Sequence, residues 1–281
     1  MWKKTLCLQI PKKSDGALRM ENWSVQAMSY GTGFLFLKIT GQQRKYWVIE
    51  MNDINRIRWL KEVFEIFDHI ASHNEPYRWK SEKLDIEIDI FPRVFSPKYL
   101  SDSEWYADKV GFMAEGKSLL EVGSGTGLAA VWAGICGASR LAATDINPMA
   151  VKNTEHNLAL HGLEAEVVNG DIYDGLSEKS YDIIFWNHPF NIEYEPGDII
   201  LRAAFDHDFN GLRKYVSEAE SHLNENGRLL LGSANYAHPE KIGKIADESG
   251  YRLEIVCAEN LPLFSHDSFK AELRLYEFVK K

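Results

Sequence analysis

From about residue 117 onward, short apolar runs alternate with segments whose apolar residues recur at helical spacing. The runs are typical of strands buried on both faces, and the segments between them are typical of amphipathic helices. This alternation predicts an α/β fold with a parallel sheet covered on both faces. The predicted strands span residues 118–122, 140–144, 165–169, 181–186 and 228–231, and the predicted helices include residues 148–161, 210–224 and 239–249.

The last two apolar segments, residues 251–258 and 271–279, have no helical segment between them. Consecutive strands without a helix between them are expected to pair antiparallel, because a parallel pair needs a crossover connection that is usually a helix. We therefore expect a mostly parallel seven-stranded sheet that ends in a C-terminal antiparallel hairpin.

The N-terminal part of the chain follows a different pattern. Residues 34–39 and 46–50 read as two strands joined by a turn at residues 40–44. A long segment follows in which apolar residues recur at helical spacing behind a cap at Asn52 and Asp53. This strand–strand–helix pattern predicts a small α+β domain without a catalytic signature.

A third pattern marks the boundary between the two parts. Residues 84–90 alternate strictly between apolar and polar, and Pro92 and Pro97 then interrupt the chain, so a strand that leads into a loop is expected. We predict an N-terminal module over residues 1–80, with a role in substrate recognition, and a main domain over residues 81–281.

Composition narrows the class of protein. The chain has 281 residues, of which 45% are hydrophobic and 26% charged, as in ordinary globular proteins. It has no apolar stretch of membrane-spanning length, and its first apolar segment is too short for a secretory signal, so we expect a cytoplasmic protein without membrane contact. Cys7, Cys136 and Cys257 are too few and too scattered for a disulfide framework or a zinc site.

The charge is distributed unevenly. Residues 1–80 carry 13 Lys and Arg against 8 Asp and Glu, whereas the remainder carries 19 against 33. A basic segment with several tryptophans can contact an anionic partner such as nucleic acid, or its lysines can simply be solvated. Both interpretations of residues 1–80 stay open. The tryptophans are Trp2, Trp23, Trp47, Trp59 and Trp79.

The stretch "EVGSGTG" places Gly123, Gly125 and Gly127 between a buried strand and a helix. Glycines there allow a tight turn and let a ligand lie against the backbone. A dinucleotide site would have its third glycine at the position of Leu128, and a P-loop would end in Gly-Lys-Ser/Thr. With Glu121 before it, the spacing instead favours a nucleoside that carries an amino acid.

Two acids follow at the ends of the next two predicted strands. Asp145 ends the second strand, where a carboxylate can accept both hydrogen bonds from a ribose diol. Asp171 ends the third strand, where it can accept from an adenine amino group. Each acid alone can also be a helix cap. Suitable groups at three consecutive strand ends favour the ligand site.

From about residue 95 onward the chain resembles the class I S-adenosylmethionine-dependent methyltransferases, through "EVGSGTG", "TDINPMAV", "GDIYD" and "NHPF". The resemblance implies a Rossmann-like doubly wound fold and S-adenosyl-L-methionine as cofactor. It also implies that the glycines surround the methionine part, Asp145 the ribose, and Asp171 with Ile172 the adenine. The full implied set of cofactor-binding residues is Glu121, Gly123, Ser124, Gly125, Gly127, Asp145, Ile146, Asp171, Ile172 and Asn187.

The stretch "NHPF" ends the fourth predicted strand, and ligands of such sheets bind beyond the strands' C-terminal ends. Methyl transfer to nitrogen requires a lone pair aligned with the carbon–sulfur bond. The Asn187 oxygen can accept a hydrogen bond from the attacking N–H group, and the His188 carbonyl can accept a second. Pro189 stiffens the loop, and the Phe190 ring can stack on a planar amide or base. These four residues are the predicted catalytic set.

This corner resembles the Asn-Pro-Pro-Tyr/Phe motif of the small-domain methyltransferases, which methylate planar nitrogen, and among them the release-factor glutamine methyltransferases. Two departures are visible: His188 replaces the first proline, and residues 1–80 read as strands plus a helix where that family has a helical bundle. His188 can act as a base for a protonated acceptor, or can supply only its carbonyl.

Several functions therefore remain open. The first is an N-methyltransferase whose acceptor is a protein side chain, RNA or a small molecule. The others are a dinucleotide oxidoreductase, an RNA- or protein-binding module that transfers nothing, and an enzyme that uses S-adenosylmethionine for other chemistry. The "DHD" at residues 206–208 suggests metal ligation, but without further ligands we read it as a solvated loop and predict no metal. Oligomeric state is left open.

Overall fold

The structure is a computed structural model that describes residues 6–8, 25–29, 34–39, 45–50, 54–100, 102–177, 180–262 and 270–281. The chain divides into two compact units, Met1–Ser72 and His73–Lys281. This division falls earlier in the chain than the predicted boundary at residue 80. The assignment of substrate recognition to the first part stays a prediction.

The described residues of the first unit form an antiparallel sheet and a helix. Its strands are β1 (Leu6–Leu8), β2 (Val25–Ser29), β3 (Phe34–Ile39) and β4 (Lys45–Glu50), paired in that order, and helix α1 (Ile54–Ser72) follows. The predicted β3, β4 and α1 are confirmed. The sequence did not indicate β1 and β2, because β1 is very short and β2 mixes polar and apolar residues. The predicted turn at residues 40–44 and the cap at Asn52 and Asp53 lie outside the described residues.

The second unit begins with an antiparallel hairpin of β5 (Tyr77–Ser81) and β6 (Ile86–Ile90). Strand β6 buries its alternate residues Ile86, Ile88 and Ile90, as the sequence pattern predicted. The division after Ser72 keeps these paired strands in one unit, whereas the expected boundary at residue 80 falls within β5. Helix α2 (Asp102–Met113) follows the hairpin.

The main sheet has seven strands in the order β12-β13-β11-β10-β7-β8-β9. Strands β11, β10, β7, β8 and β9 are parallel, whereas β13 and β12 are antiparallel to their neighbours, so the predicted α/β sheet with a C-terminal hairpin is confirmed. The strands are β7 (Ser118–Val122), β8 (Arg140–Asp145), β9 (Glu166–Asn169), β10 (Tyr181–Asn187), β11 (Leu223–Ala234), β12 (Tyr251–Pro262) and β13 (Lys270–Lys280). The helices are α3 (Leu128–Ile135), α4 (Pro148–Leu160), α5 (Asn210–Glu218) and α6 (Pro239–Glu248).

A large apolar cluster packs α5 and α6 against one face of the sheet. Alternate strand residues such as Ile184, Trp186 and Leu229 belong to it, because side chains two apart on a strand point to the same face. Full burial of a large apolar side chain stabilises the fold by about 1.5–3 kcal/mol. Tyr215 of α5 also donates its hydroxyl to the carbonyls of Ile184 (3.2 Å) and Leu230 (2.6 Å).

The predicted helix over residues 210–224 is too long. Helix α5 ends at Glu218, a short 3-10 turn spans Ala219–His222, and β11 begins at Leu223, before the predicted start of that strand. Leu223 pairs with Tyr181 of β10, and after a shift in register the pairing resumes between Ile183 and Arg228. Apolar residues at helical spacing therefore continue in the sequence beyond Glu218, although the helix itself ends there.

Candidate functional site

The predicted cofactor residues lie at the ends of neighbouring parallel strands. Strand β7 pairs in parallel with β8 and β10, and β8 pairs in parallel with β9. The C-terminal ends of these four strands therefore lie side by side at one end of the sheet. We call this end of the sheet the C-terminal rim. The glycine loop follows β7, Asp145 ends β8, Asp171 follows β9, and Asn187 ends β10. The rim is where ligands of such sheets bind.

The glycine loop depends on backbone angles that favour glycine. Gly123, Gly125 and Gly127 have φ angles of 60°, 56° and 75°. A Cβ at Gly123 would lie 2.6 Å from Nε1 of Trp186, and one at Gly127 would lie 2.8 Å from Cγ2 of Thr154. A Cβ at Gly125 would meet no described atom within 4 Å. Gly125 is thus the place where the loop backbone faces open space that a ligand can occupy.

Ser124 of the loop and Glu121 of β7 are both held by the surrounding structure. The Ser124 hydroxyl lies 2.8 Å from Thr154 Oγ1, and the Ser124 amide donates to the Thr144 carbonyl (3.1 Å). Glu121 is buried, and its Oε2 accepts from the Ala130 amide of helix α3 (2.8 Å). Burial raises the pKa of the Glu121 carboxyl to about 8. The Glu121 carboxyl therefore joins the strand to the helix behind the loop.

Asp145 joins the glycine loop to the loop after β8. Its Oδ2 accepts from the Gly125 amide and its Oδ1 from the Asn147 amide, both at 2.8 Å. Burial raises the pKa of Asp145 to about 6, and the two backbone hydrogen bonds oppose that shift. Each oxygen keeps a second lone pair, so the carboxylate retains capacity to accept from a diol. Ile146 follows, partly exposed, and its carbonyl accepts from Asn169 Nδ2 (3.1 Å).

Asp171 and Ile172 form the next part of the rim. The Asp171 side chain is exposed, and Lys214 Nζ lies 2.9 Å from its carbonyl and 3.5 Å from its Oδ2. Ile172 has a φ of 59°, which is rare for a β-branched residue and costs on the order of 1–3 kcal/mol. Thr144 Oγ1 holds it by donating to the Ile172 carbonyl (2.6 Å). A strained, supported residue of this kind is typical of a ligand site.

Asn187 presents an unusual polar atom. Its Nδ2 donates to Oδ2 of Asp102 (3.2 Å), the first residue of α2. Its Oδ1 is shielded from solvent and has no hydrogen-bond partner among the described residues. A buried acceptor left without a donor costs about 1–3 kcal/mol, so a ligand N–H that reached this atom would be stabilising once the side chains that shield it moved aside.

The three residues after Asn187 are buried. His188 is 2% exposed, and its Nε2 lies 2.9 Å from the Ser233 hydroxyl of β11. Burial, with a further contribution from His238, lowers the pKa of His188 to about 3, so the ring is neutral at pH 7. This neutral, buried ring favours the alternative in which His188 supplies only its carbonyl.

Pro189 is buried as well, and Phe190 is only 5% exposed. The Phe190 ring packs against the His188 ring (5.4 Å between centroids) and edge-on against Tyr236 (5.7 Å). Most of the ring that we expected to stack on a substrate therefore contacts the protein itself. Its stacking role stays a prediction.

The "DHD" stretch has a structural role at one of its acids. Asp206 Oδ1 and Oδ2 each accept a backbone amide at 2.9 Å, from Gly211 and Leu212 at the start of α5. The reading of Asp206 as a solvated residue is corrected, because its carboxylate caps this helix. Across the residues that the structure describes, no group of three His, Cys, Asp or Glu side chains could hold a metal ion.

Sequence reasoning missed three residues that contact the site. Asp102, Lys214 and Ser233 hydrogen bond to Asn187, Asp171 and His188, respectively. Each comes from an element distant in sequence from its partner, and no motif spacing connects the two. Only Asp102 carried a signal, because it lies in "FSPKYLSDSEW", which resembles the segment that helps close over the methionine end of the cofactor in related enzymes.

Comparison with known proteins identifies the family of this site. Residues 92–247 match the model of the methyltransferase small domain family. A Methanocaldococcus jannaschii protein named as a protein N5-glutamine methyltransferase is 28% identical over 183 residues, which cover 63% of this chain and 90% of that protein. A Lactobacillus johnsonii ribosomal protein L11 methyltransferase is 29% identical over 143 residues, which cover 50% of this chain but only 39% of that protein.

Among solved structures, the T. thermophilus 16S rRNA N2 G1207 methyltransferase, in complex with AdoMet and guanosine, has the same fold. The TM-score is 0.52 at 17% identity, and the match covers 74% of this chain and 52% of that one. In the described part of the chain, no helix combines the length and the apolar character that crossing a membrane requires.

Proposed function

Because this chain belongs to the methyltransferase small domain family and uses S-adenosylmethionine, we propose that it methylates a planar nitrogen bound at Asn187. The acceptor is an amide or amino group of a protein, an RNA base or a small molecule. The names of the relatives above give protein glutamine, ribosomal protein L11 and guanine N2 of 16S rRNA as acceptors, which are all parts of proteins or RNA.

The observation that carries the proposal is the Asn187 side-chain oxygen. It is a buried acceptor without a donor among the described residues, located where β10 ends on the C-terminal rim. An N–H group of the methyl acceptor that donates to this oxygen is held in a fixed orientation. If a second N–H on the same nitrogen donates to the His188 carbonyl, the nitrogen lone pair points away from both oxygens. Orientation of this kind supplies a large part of the catalysis of group transfer.

The cofactor residues suit the methyl donor. The open backbone at Gly125 accommodates a ligand lying against the loop, Asp145 can accept from its ribose, and Asp171 with Ile172 can contact its adenine. When bound, S-adenosylmethionine supplies an electrophilic methyl group on a sulfonium. The protein's part is to hold the acceptor nitrogen in line with that group and to exclude water.

A methyl-transfer assay tests the proposal. Purified protein is incubated with S-adenosylmethionine carrying a tritiated methyl group and with cell lysate fractionated into protein, RNA and small molecules. We expect label in one fraction, and we expect mass spectrometry of the product to locate the methyl group on nitrogen. A methyl group on carbon, oxygen or sulfur, or cofactor binding without labelling of any fraction, would contradict it.

A further inference from the structure

We propose that Asp102 is a positioning residue that determines which atom of the Asn187 side-chain amide faces the methyl acceptor. The inference rests on the proposed function of Asn187 and assigns a role to a residue that lies outside the "NHPF" motif. Asp102 is 4% exposed, and its Oδ2 accepts from Asn187 Nδ2 at 3.2 Å. The Asn187 oxygen on the other side of the amide has no partner among the described residues.

An asparagine side chain needs such a partner, because its oxygen and nitrogen have nearly the same size and shape. A rotation that exchanges them would present an NH₂ donor to an acceptor nitrogen that also carries hydrogens, and the two donors would repel. Only the hydrogen bonds around the amide decide between the two orientations. An ionised carboxylate only accepts, so Asp102 selects the orientation in which Asn187 Nδ2 faces it and the oxygen faces away.

Both oxygens of Asp102 are used in this way. Its Oδ1 accepts from the Ser103 amide at 2.8 Å, while its Oδ2 accepts from Asn187. Burial raises the pKa of the Asp102 carboxyl, and the hydrogen bonds from Asn187 and the Ser103 amide only partly offset that rise. Residue 102 must therefore offer two acceptors.

The helix that carries Asp102 is itself held in place. Trp105 Nε1 donates to Glu259 Oε2 at 2.7 Å, and the Tyr106 hydroxyl donates to the Ser233 carbonyl. These hydrogen bonds attach α2 to β12 and to β11. The two carboxylate oxygens of Asp102 are thus held at a fixed position.

Asp102→Asn tests this requirement with a change of almost no volume. If the single oxygen of the new amide keeps the Ser103 amide, its NH₂ group lies at the position of Oδ2 and faces Asn187 Nδ2. Two donors would then oppose each other, so Asn187 is expected to rotate and present its NH₂ group to the methyl acceptor. The rate at which the variant methylates the lysate fraction that the wild-type protein labels should fall by about 100-fold. This is the order expected when the methyl acceptor is no longer oriented. The dissociation constant for S-adenosylmethionine should stay within about threefold of the wild-type value.

The exchange variant Asp102→Asn with Asn187→Asp separates orientation from general damage. The amide introduced at position 102 can then accept from Ser103 and donate to the carboxylate introduced at position 187, whose second oxygen faces the acceptor. We expect turnover at least about tenfold above that of the single variant. Asp108→Asn, the same change farther along α2, is the matched control and should keep wild-type turnover. Wild-type turnover in Asp102→Asn, or no recovery in the exchange variant, would overturn the proposal.

An NMR measurement that needs no methyl acceptor tests the hydrogen bond between Asp102 and Asn187 independently of the methyl-transfer assay. In ¹⁵N-labelled wild-type protein, the side-chain amide signals of Asn187, assigned by their absence in Asn187→Asp, should show one hydrogen protected from exchange by the carboxylate. Asp102→Ala should remove that protection, with cofactor binding showing that the variant is folded. Unprotected signals in the wild-type protein would overturn the pairing, whereas a failure to label any lysate fraction would contradict only the proposed function.

Discussion

At the scale of single residues, the site is built from buried polar groups whose partners are few and specific. Glu121 illustrates how such a group couples to pH. Its carboxyl accepts the Ala130 amide in a buried position, and burial raises its pKa to about 8 from the ordinary value of 4.5. A raised pKa means that the folded state binds the proton more tightly than the unfolded state.

The raised pKa determines how the free energy of unfolding changes with pH. The stability that the protonated Glu121 contributes is fully present below pH 4.5 and is lost as the pH rises toward about 8. Glu121→Gln keeps an acceptor for the Ala130 amide but cannot ionise. The wild-type protein should therefore lose unfolding free energy relative to Glu121→Gln between about pH 5 and 8, by on the order of a few kcal/mol. Denaturant unfolding at several pH values measures this, and a constant difference would contradict it.

At the scale of elements, side-chain hydrogen bonds attach the β5–β6 hairpin to the cofactor loop. Asn157 of α4 accepts from the Asp89 amide and donates to the carbonyls of Asp89 and Thr126, each at 2.9 Å. Thr126 lies within the glycine loop. The sequence predicted α4 and β6 from their periodicity, but periodicity does not show that a buried asparagine connects them.

Asn157→Ala tests this connection. The Asp89 amide and the Thr126 carbonyl would lose their partner, whereas the Asp89 carbonyl keeps Asn153 Nδ2 at 2.7 Å. Since each buried polar group left without a partner costs about 1–3 kcal/mol, we expect the unfolding free energy to fall by about 2–4 kcal/mol. Lys152→Ala, on the exposed face of the same helix, is the control and should change it by less than about 0.5 kcal/mol. Equal effects of the two changes would show that the hydrogen bonds of Asn157 contribute little.

At the scale of the whole molecule, parallel strand order brings residues that are distant in sequence to one rim. Because strand ends are readable as motifs, the sequence predicted the sheet, the glycine loop and the positions of Asp145, Asp171 and Asn187. It did not predict Asp102 or Ser233, because contacts between different elements leave no spacing signal. The basic, tryptophan-rich character of residues 1–80 keeps nucleic acid as a proposed partner of that part.

The central claim is that Asn187, which the resemblance also places among the cofactor-binding residues, mainly orients the nitrogen of the methyl acceptor and adds little to cofactor affinity. Kinetics and calorimetry of Asn187→Ala test it most directly, with Asn260→Ala, an exposed asparagine of β12, as the control. We predict that turnover falls by about 100-fold or more while the dissociation constant for S-adenosylmethionine stays within about threefold. Turnover equal to that of the control would contradict the account.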